Sequence, residues 1–262
     1  MTTAMIGGVN LSYWMDGRPD QPVLVLAHSL GSDHAMWDSQ MAAWLADFRV
    51  LRYDMRGHGA SEITPPTDAP FGIDRLGQDV VGLLNHLKIP RAHFCGLSLG
   101  GLVGMWLGVN APGHLERIVL ADTAAKIGNP DLWNARVDLV RAGGMAAVLQ
   151  ALLQRSFTPA FLAQASPALD AARRTLLATP PRGYLDACIA IRDADLRSDI
   201  TRISAPTLML TGAHDIATPP ADGRFIAAAI PGAQYRELDA AHIANIEAPQ
   251  AFADVVREFL LR

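Results

Sequence analysis

Two cysteines, Cys95 and Cys188, are all that 262 residues contain. That is too few for a disulfide framework. Both lie in apolar sequence (His93-Phe94-Cys95 and Ala187-Cys188-Ile189), so free buried thiols in a reducing compartment are expected. A basic excess is also missing: 22 Lys and Arg stand against 26 Asp and Glu, a formal net charge of −4. Phosphate-binding surfaces normally need a clustered surplus of cations, so nucleic acid is not an expected partner. No apolar run approaches the roughly 18 residues of a membrane span. Met1 to Gly8 has neither the basic nor the apolar region of a signal peptide, and a cytoplasmic protein with no membrane partner is expected. Lysine and glutamate are scarce, because 20 of the 22 basic residues are Arg and 21 of the 26 acids are Asp. An Arg or Asp therefore carries information only through its context.

Half of the residues are apolar and 18% are charged, which fits an ordinary globular chain and excludes a disordered or collagen-like one. The length suits one large domain, or a core carrying an insertion. Short apolar runs alternate with longer amphipathic stretches, the pattern of an α/β protein with a mostly parallel central sheet flanked by helices. The strand candidates are Pro22 to Ala27, Val50 to Tyr53, Ala92 to Cys95, Ile118 to Ala121, Thr207 to Thr211 and Gln234 to Leu238. Helices are expected over Met36 to Leu45, Asp74 to Leu87, Leu99 to Asn110, Ala221 to Ala229 and Pro249 to Leu260, with Pro112-Gly113 and Pro231-Gly232 as breakers. Between about Thr123 and Arg202 the alternation stops, and the sequence is rich in Ala, Leu and Arg at helical spacing. A core of residues 1–122 and 203–262 with a helical cap at 123–202 is the expected organisation. The cap carries ten basic and seven acidic side chains, a net of +3, which leaves −7 for the core. Such a bias would favour an acidic substrate, unless these arginines only solvate helix faces.

After the strand ending at Cys95 comes Gly96-Leu97-Ser98-Leu99-Gly100-Gly101 and then a helical run. This is a G-x-S-x-G nucleophile elbow in strand-turn-helix context, in which glycine on both sides of the serine lets strand and helix approach closely. Ser98 is the candidate nucleophile. A serine hydroxyl needs a base, and the base needs a third group to orient it. Three histidines follow Ser98: His114, His214 and His242. His114 ends the elbow helix, away from the active edge, and His214 reads as a turn residue. His242 follows the last strand candidate, just before the final helix, and is the candidate base. For the acid, Asp215 sits in a loop beyond a buried strand, with Asp122 after the preceding strand as its rival. Asp239 is too close to His242 in sequence. The two N–H groups needed for an oxyanion are assigned to Leu99 and, from the loop His28-Ser29-Leu30-Gly31-Ser32, to Leu30. His28 is read as bracing that loop. Asp54, Arg56 and His58, in Tyr53 to Ser61, are read as internal bracing, since a metal there would need more clustered ligands.

Together the elbow, the Tyr53 to Ser61 loop and the order Ser98, Asp215, His242 resemble the α/β-hydrolase family across the whole chain. The chain resembles more closely still the 3-oxoadipate enol-lactonases of the β-ketoadipate route of aromatic degradation. The segments that carry this are His28-Ser29-Leu30-Gly31 with Met36-Trp37-Asp38, Gly101 to Pro112 and Ala121 to Gly128. Many relatives have His-Gly where this chain has His28-Ser29, a departure the enol-lactonases share. The resemblance implies opening of an enol lactone that bears a free carboxylate, through an acyl-enzyme on Ser98, with no metal and no cofactor. Recognition of that carboxylate is expected from Trp133 and Arg136, three apart on one helical face. Arg182, Arg192 and Lys126 are the alternatives. Other readings are a carboxylesterase or a hydrolase of carbon-carbon bonds in ring-cleavage products, and, from another class, a non-catalytic ligand receptor. Such a receptor would show damage among the three residues, and none is visible; a dehalogenase would need Asp at position 98.

Overall fold

The computed structural model describes residues 1–65 and 71–262. Eight strands, β1 (Thr2–Ile6), β2 (Val9–Asp16), β3 (Val23–Ala27), β4 (Arg49–Tyr53), β5 (Ala92–Leu97), β6 (Leu115–Ala121), β7 (Thr207–Gly212) and β8 (Gln234–Leu238), form one sheet in the order β1-β2-β4-β3-β5-β6-β7-β8. From β4 across to β8 every pairing is parallel, whereas β2 runs antiparallel to both β1 and β4. The helices are α1 (Asp38–Trp44), α2 (Ile73–His86), α3 (Leu99–Asn110), α4 (Pro130–Gly143), α5 (Ala146–Ser156), α6 (Pro159–Leu162), α7 (Pro167–Ala178), α8 (Pro181–Asp193), α9 (Pro220–Ala229), α10 (Ala244–Glu247) and α11 (Pro249–Leu260). Among the described residues no helix is long and apolar enough to cross a membrane.

The inner parallel strands β3, β5, β6 and β7 are mostly apolar because successive side chains enter two different cores. Leu24, Leu26, Cys95, Leu97, Leu208 and Leu210 pack with Trp44 and Phe252 of α1 and α11. Val25, Ala27, Phe94, Leu120 and Met209 face the opposite way, onto Leu76 and Val80 of α2 and Leu102 and Val103 of α3. The Trp44 indole also donates to the Ala253 carbonyl at 3.1 Å, fastening α1 to α11. The free cysteines are buried on β5 and α8, and burial pushes the Cys188 thiol up to about 12, so it stays a thiol at neutral pH.

Two local expectations need correction. The hairpin β1–β2 is absent from the strand reading because it lies at the sheet edge, where β1 alternates exposed and buried residues and presents no continuous apolar run. The stretch Met36 to Leu45 is not one helix: His34–Trp37 forms a 3-10 turn, with the Asp33 carboxylate accepting from the Ala35 N–H at 2.9 Å, and α1 begins only at Asp38.

Residues 123–202 contain α4 to α8 and no strand. This helical segment meets the sheet at a point where two backbones touch, Gly183 at the start of α8 against Gly57 in the loop after β4. A Cβ on Gly183 would overlap the Gly57 carbonyl oxygen. Gly183→Ala is accordingly expected to cost roughly 1–3 kcal/mol, the usual penalty of overpacking. A thermal melt should register that as a Tm about 2–4 °C lower per kcal/mol; an unchanged Tm would mean that the segment shifts freely on the sheet.

Candidate active site

Ser98 occupies the single residue between β5 and α3, with φ +57° and ψ −112°. A non-glycine residue in that region is strained, and close packing on either side maintains it. A Cβ at position 96 would overlap the Gly100 carbonyl, and one at position 100 would overlap the Ala27 carbonyl on β3. The elbow glycines are thus required by contact between strand and helix. The Ser98 N–H donates to the Ala121 carbonyl at 2.9 Å, and the Thr123 hydroxyl donates to the Ser98 carbonyl at 2.8 Å, which fixes the turn to β6.

Asp215 follows β7 and His242 follows β8, so both arrive at the carboxyl edge of the sheet beside Ser98. His242 Nε2 lies 2.9 Å from Ser98 Oγ and its Nδ1 lies 2.8 Å from Asp215 Oδ2. Asp215 accepts further hydrogen bonds from the Ala217 and Thr218 N–H groups at 2.7 and 3.0 Å and from the Thr218 hydroxyl at 2.8 Å. Burial alone would raise its carboxyl, but His242 and the Thr218 donors outweigh that and hold it below the ordinary aspartate range. The loop bearing His242 is anchored from downstream, where Glu247 of α10 accepts the Ala241 N–H at 3.0 Å and also binds Thr158, the residue that caps α6.

Asp122 contacts neither ring nitrogen of His242. Its two oxygens accept the Gly212 N–H at 2.7 Å and the Ala244 N–H at 3.3 Å, buckling the end of β7 to the start of α10. Burial, reinforced by the nearby Asp215, drives its carboxyl well above the usual range. With both oxygens committed to backbone N–H groups, Asp122 is not placed to orient the His242 ring. His214 is exposed and pairs with Asp239 at 2.8 Å, and His114 sits at the opposite sheet edge against the Pro90 carbonyl.

The N–H groups of Leu30 and Leu99 have no acceptor among the described residues. Leu30 lines the cavity that contains Ser98 and His242. Its loop is held by His28, which is fully buried; Nδ1 donates to the Ser29 carbonyl at 2.8 Å and Nε2 accepts the Met55 N–H at 2.8 Å. Asp54 accepts the backbone N–H groups of His34 and Ala60, each at 2.8 Å, and Arg56 Nε donates to the buried Asp79 at 2.6 Å. His58 is buried beside them, where desolvation pushes its pKa down to about 3 and keeps the ring neutral. No group of three or more His, Cys, Asp or Glu side chains among the described residues is placed to hold a metal ion.

Trp133 and Arg136 share one wall of the Ser98 cavity, with the guanidinium 4.6 Å above the indole ring. The indole N–H is spent on the Ile127 carbonyl at 2.7 Å, so Trp133 offers the cavity an apolar face. The alternatives Lys126, Arg182 and Arg192 lie outside the lining and are paired with Asp195, Asp186 and Asp193 at 3.4, 3.0 and 2.7 Å. Arg141, Arg173, Arg197 and Arg202 have aspartate partners too. Within 123–202 this leaves Arg136, Arg155 and Arg174 without a carboxylate partner among the described residues, and the first two line the cavity. Sequence reasoning missed Arg155 and the buried Tyr184, which also lines it. The one available signal was spacing, since Leu152, Arg155 and Ser156 share a helical face and all three face the site. A second, larger cavity of about 360 Å³ adjoins the first and shares Ser29, Leu30, Leu152 and Ser156 with it.

Residues 22–249 match the family described as alpha/beta hydrolase fold. Over 254 residues the chain is 41% identical to 3-oxoadipate enol-lactonase 2 of Acinetobacter baylyi, covering 97% of this chain and 94% of that protein. It is 38% identical to 3-oxoadipate enol-lactonase 1 of the same organism, with the same shares covered. Among solved structures, the enol-lactonase from Burkholderia xenovorans LB400 superposes with a TM-score of 0.96 at 44% identity, covering all of both chains.

Proposed function

The chain belongs to the alpha/beta hydrolase fold family, and we propose that within it the protein is a carboxylic-ester hydrolase that opens 3-oxoadipate enol-lactone to 3-oxoadipate, a step in aromatic degradation. One observation supports this reading above the others: the Ser98–His242–Asp215 hydrogen-bond chain and the unpaired guanidinium of Arg136 face the same cavity. A reactive carbonyl at Ser98 and a carboxylate at Arg136 describe a small anionic lactone. Similarity over nearly the full chain to two enol-lactonases points the same way.

In the proposed reaction Ser98 Oγ attacks the lactone carbonyl carbon while His242 Nε2 takes the hydroxyl proton. Asp215 holds the imidazole through Nδ1 and stabilises the imidazolium that forms. The tetrahedral oxyanion is held by the Leu30 and Leu99 N–H groups, both without another acceptor and one of them at the N-terminus of α3. Collapse of the intermediate breaks the ring C–O bond and expels an enolate, which recovers the proton from His242. Water, deprotonated by His242, then hydrolyses the acyl-enzyme, and the released enol tautomerises. An enolate leaves more readily than an alkoxide, so discrimination rests on recognising the pendant carboxylate. The helices of residues 123–202 act as the cap that supplies this recognition. A small anionic metabolite, rather than nucleic acid, is the partner that suits a chain with no basic excess, and two buried thiols suit the cytoplasm.

Arg136→Ala separates recognition from chemistry. Loss of a hydrogen bond to a charged group, about 1.5–3 kcal/mol, should raise KM for the carboxylate lactone by about 10- to 100-fold. The kcat/KM of a neutral aryl ester should change less than about twofold. Steady-state kinetics on both substrates reads this directly, and equal loss on the two would refute the role of Arg136.

A further inference from the structure

The lactone of the proposed reaction carries one carboxylate, yet its cavity holds two guanidinium groups without carboxylate partners among the described residues. They come from two different helices, α4 and α5. Arg136 of α4 lies over Trp133, on a wall it shares with Tyr184 of α8. Arg155, in the last turn of α5, precedes Ser156, whose carbonyl accepts the N–H of Ile243 at 3.0 Å. Ile243 follows His242, so Arg155 stands at the reacting end. Burial, followed by repulsion from Arg136, pulls the Arg155 guanidinium below its ordinary range, a penalty that a bound anion would relieve.

Tyr184 of α8 backs the Arg136 wall: it is fully buried, and its hydroxyl is closed off from solvent beside Arg136 and Cys188.

The geometry points to a receptor for an aliphatic dicarboxylate, in which Arg136 holds one carboxylate and Arg155 holds the other beside Ser98. This rests on the hydrolytic reading above, because ring opening creates the second carboxylate at Ser98. The pocket then binds the dianionic product better than the monoanionic substrate, and unreactive dicarboxylates of the same chain length compete with the lactone.

Adipate and 6-hydroxyhexanoate, a dianion and a monoanion of equal chain length, test this by calorimetric titration and by inhibition of lactone turnover. Adipate is expected to bind about tenfold more tightly, the increment of one additional charge-assisted contact. Arg155→Gln should bring the two ligands to within about twofold of each other by weakening adipate alone, whereas Arg136→Gln should weaken both by a similar factor. Equal binding of adipate and 6-hydroxyhexanoate to the wild-type protein would overturn the proposal, as would Arg155→Gln weakening both equally. Calorimetry needs no turnover. Preference for adipate in a protein that fails to open the lactone would therefore sink the hydrolytic reading and leave the receptor standing, and lactone turnover without that preference would do the reverse.

Discussion

Ser98→Ala is expected to lower kcat for enol-lactone opening by about 100,000-fold or more while leaving the fold intact. Everything that shapes the elbow is independent of the hydroxyl. The turn at φ +57° is held by the Ser98 N–H bond to the Ala121 carbonyl, the Thr123 hydroxyl on the Ser98 carbonyl, and the packing of Gly96 against Gly100. Alanine meets the same steric conditions at that position. What disappears is the atom 2.9 Å from His242 Nε2 that would form the acyl-enzyme. Residual acceleration over water should survive, because the Leu30 and Leu99 N–H groups and the Arg136 wall remain. Single-turnover kinetics, with a thermal melt alongside, would measure both halves of this expectation. A variant that folds and still turns over within about tenfold of the wild type would remove Ser98 from the chemistry.

The second large effect concerns the acid. Asp215→Asn should reduce kcat by about 10,000-fold, since an amide in place of the carboxylate favours the wrong imidazole tautomer and cannot stabilise the imidazolium. Asp122→Asn is the informative control. Asp122 is the other carboxyl at this edge of the sheet, but it spends both oxygens on the Gly212 and Ala244 N–H groups. Asparagine there turns one acceptor into a donor facing an N–H group, so stability should fall by about 1–3 kcal/mol. Catalysis should fall only modestly, by about tenfold or less, through movement of the His242 loop. If Asp122→Asn proved more damaging to kcat than Asp215→Asn, the two carboxyls would have to exchange roles.

The parts of the fold legible in the sequence are those whose residues are dictated by contacts on two sides. Strands β3, β5, β6 and β7 are covered on both faces, so each is written almost wholly in apolar residues. The edge hairpin β1–β2 carries no such signature. Gly96 and Gly100 stand out because backbone contact leaves no room for a side chain. At the site, the chain order of Ser98, Asp215 and His242 is readable because each follows a strand whose carboxyl end lies at one edge. Residues 123–202 are less legible. Their +3 charge says only that cations exceed anions, and the fold determines which of them find aspartate neighbours. Arg141, Arg173 and Arg182 are neutralised by residues three or four positions away, a local pattern, whereas the place of Arg155 and Tyr184 in the cavity lining depends on how α4, α5 and α8 pack together. With acids almost all Asp and bases almost all Arg, composition offered no way to tell these cases apart.

The most direct measurement is a side-by-side determination of kcat/KM for 3-oxoadipate enol-lactone, a neutral aryl ester and a vinylogous diketone on one preparation of the protein. The lactone should be turned over fastest, with its advantage over the ester shrinking at least about tenfold in Arg136→Ala. Lactone turnover no faster than ester turnover, or a diketone cleaved faster than either, would contradict the assignment of this pocket to a carboxylate-bearing lactone.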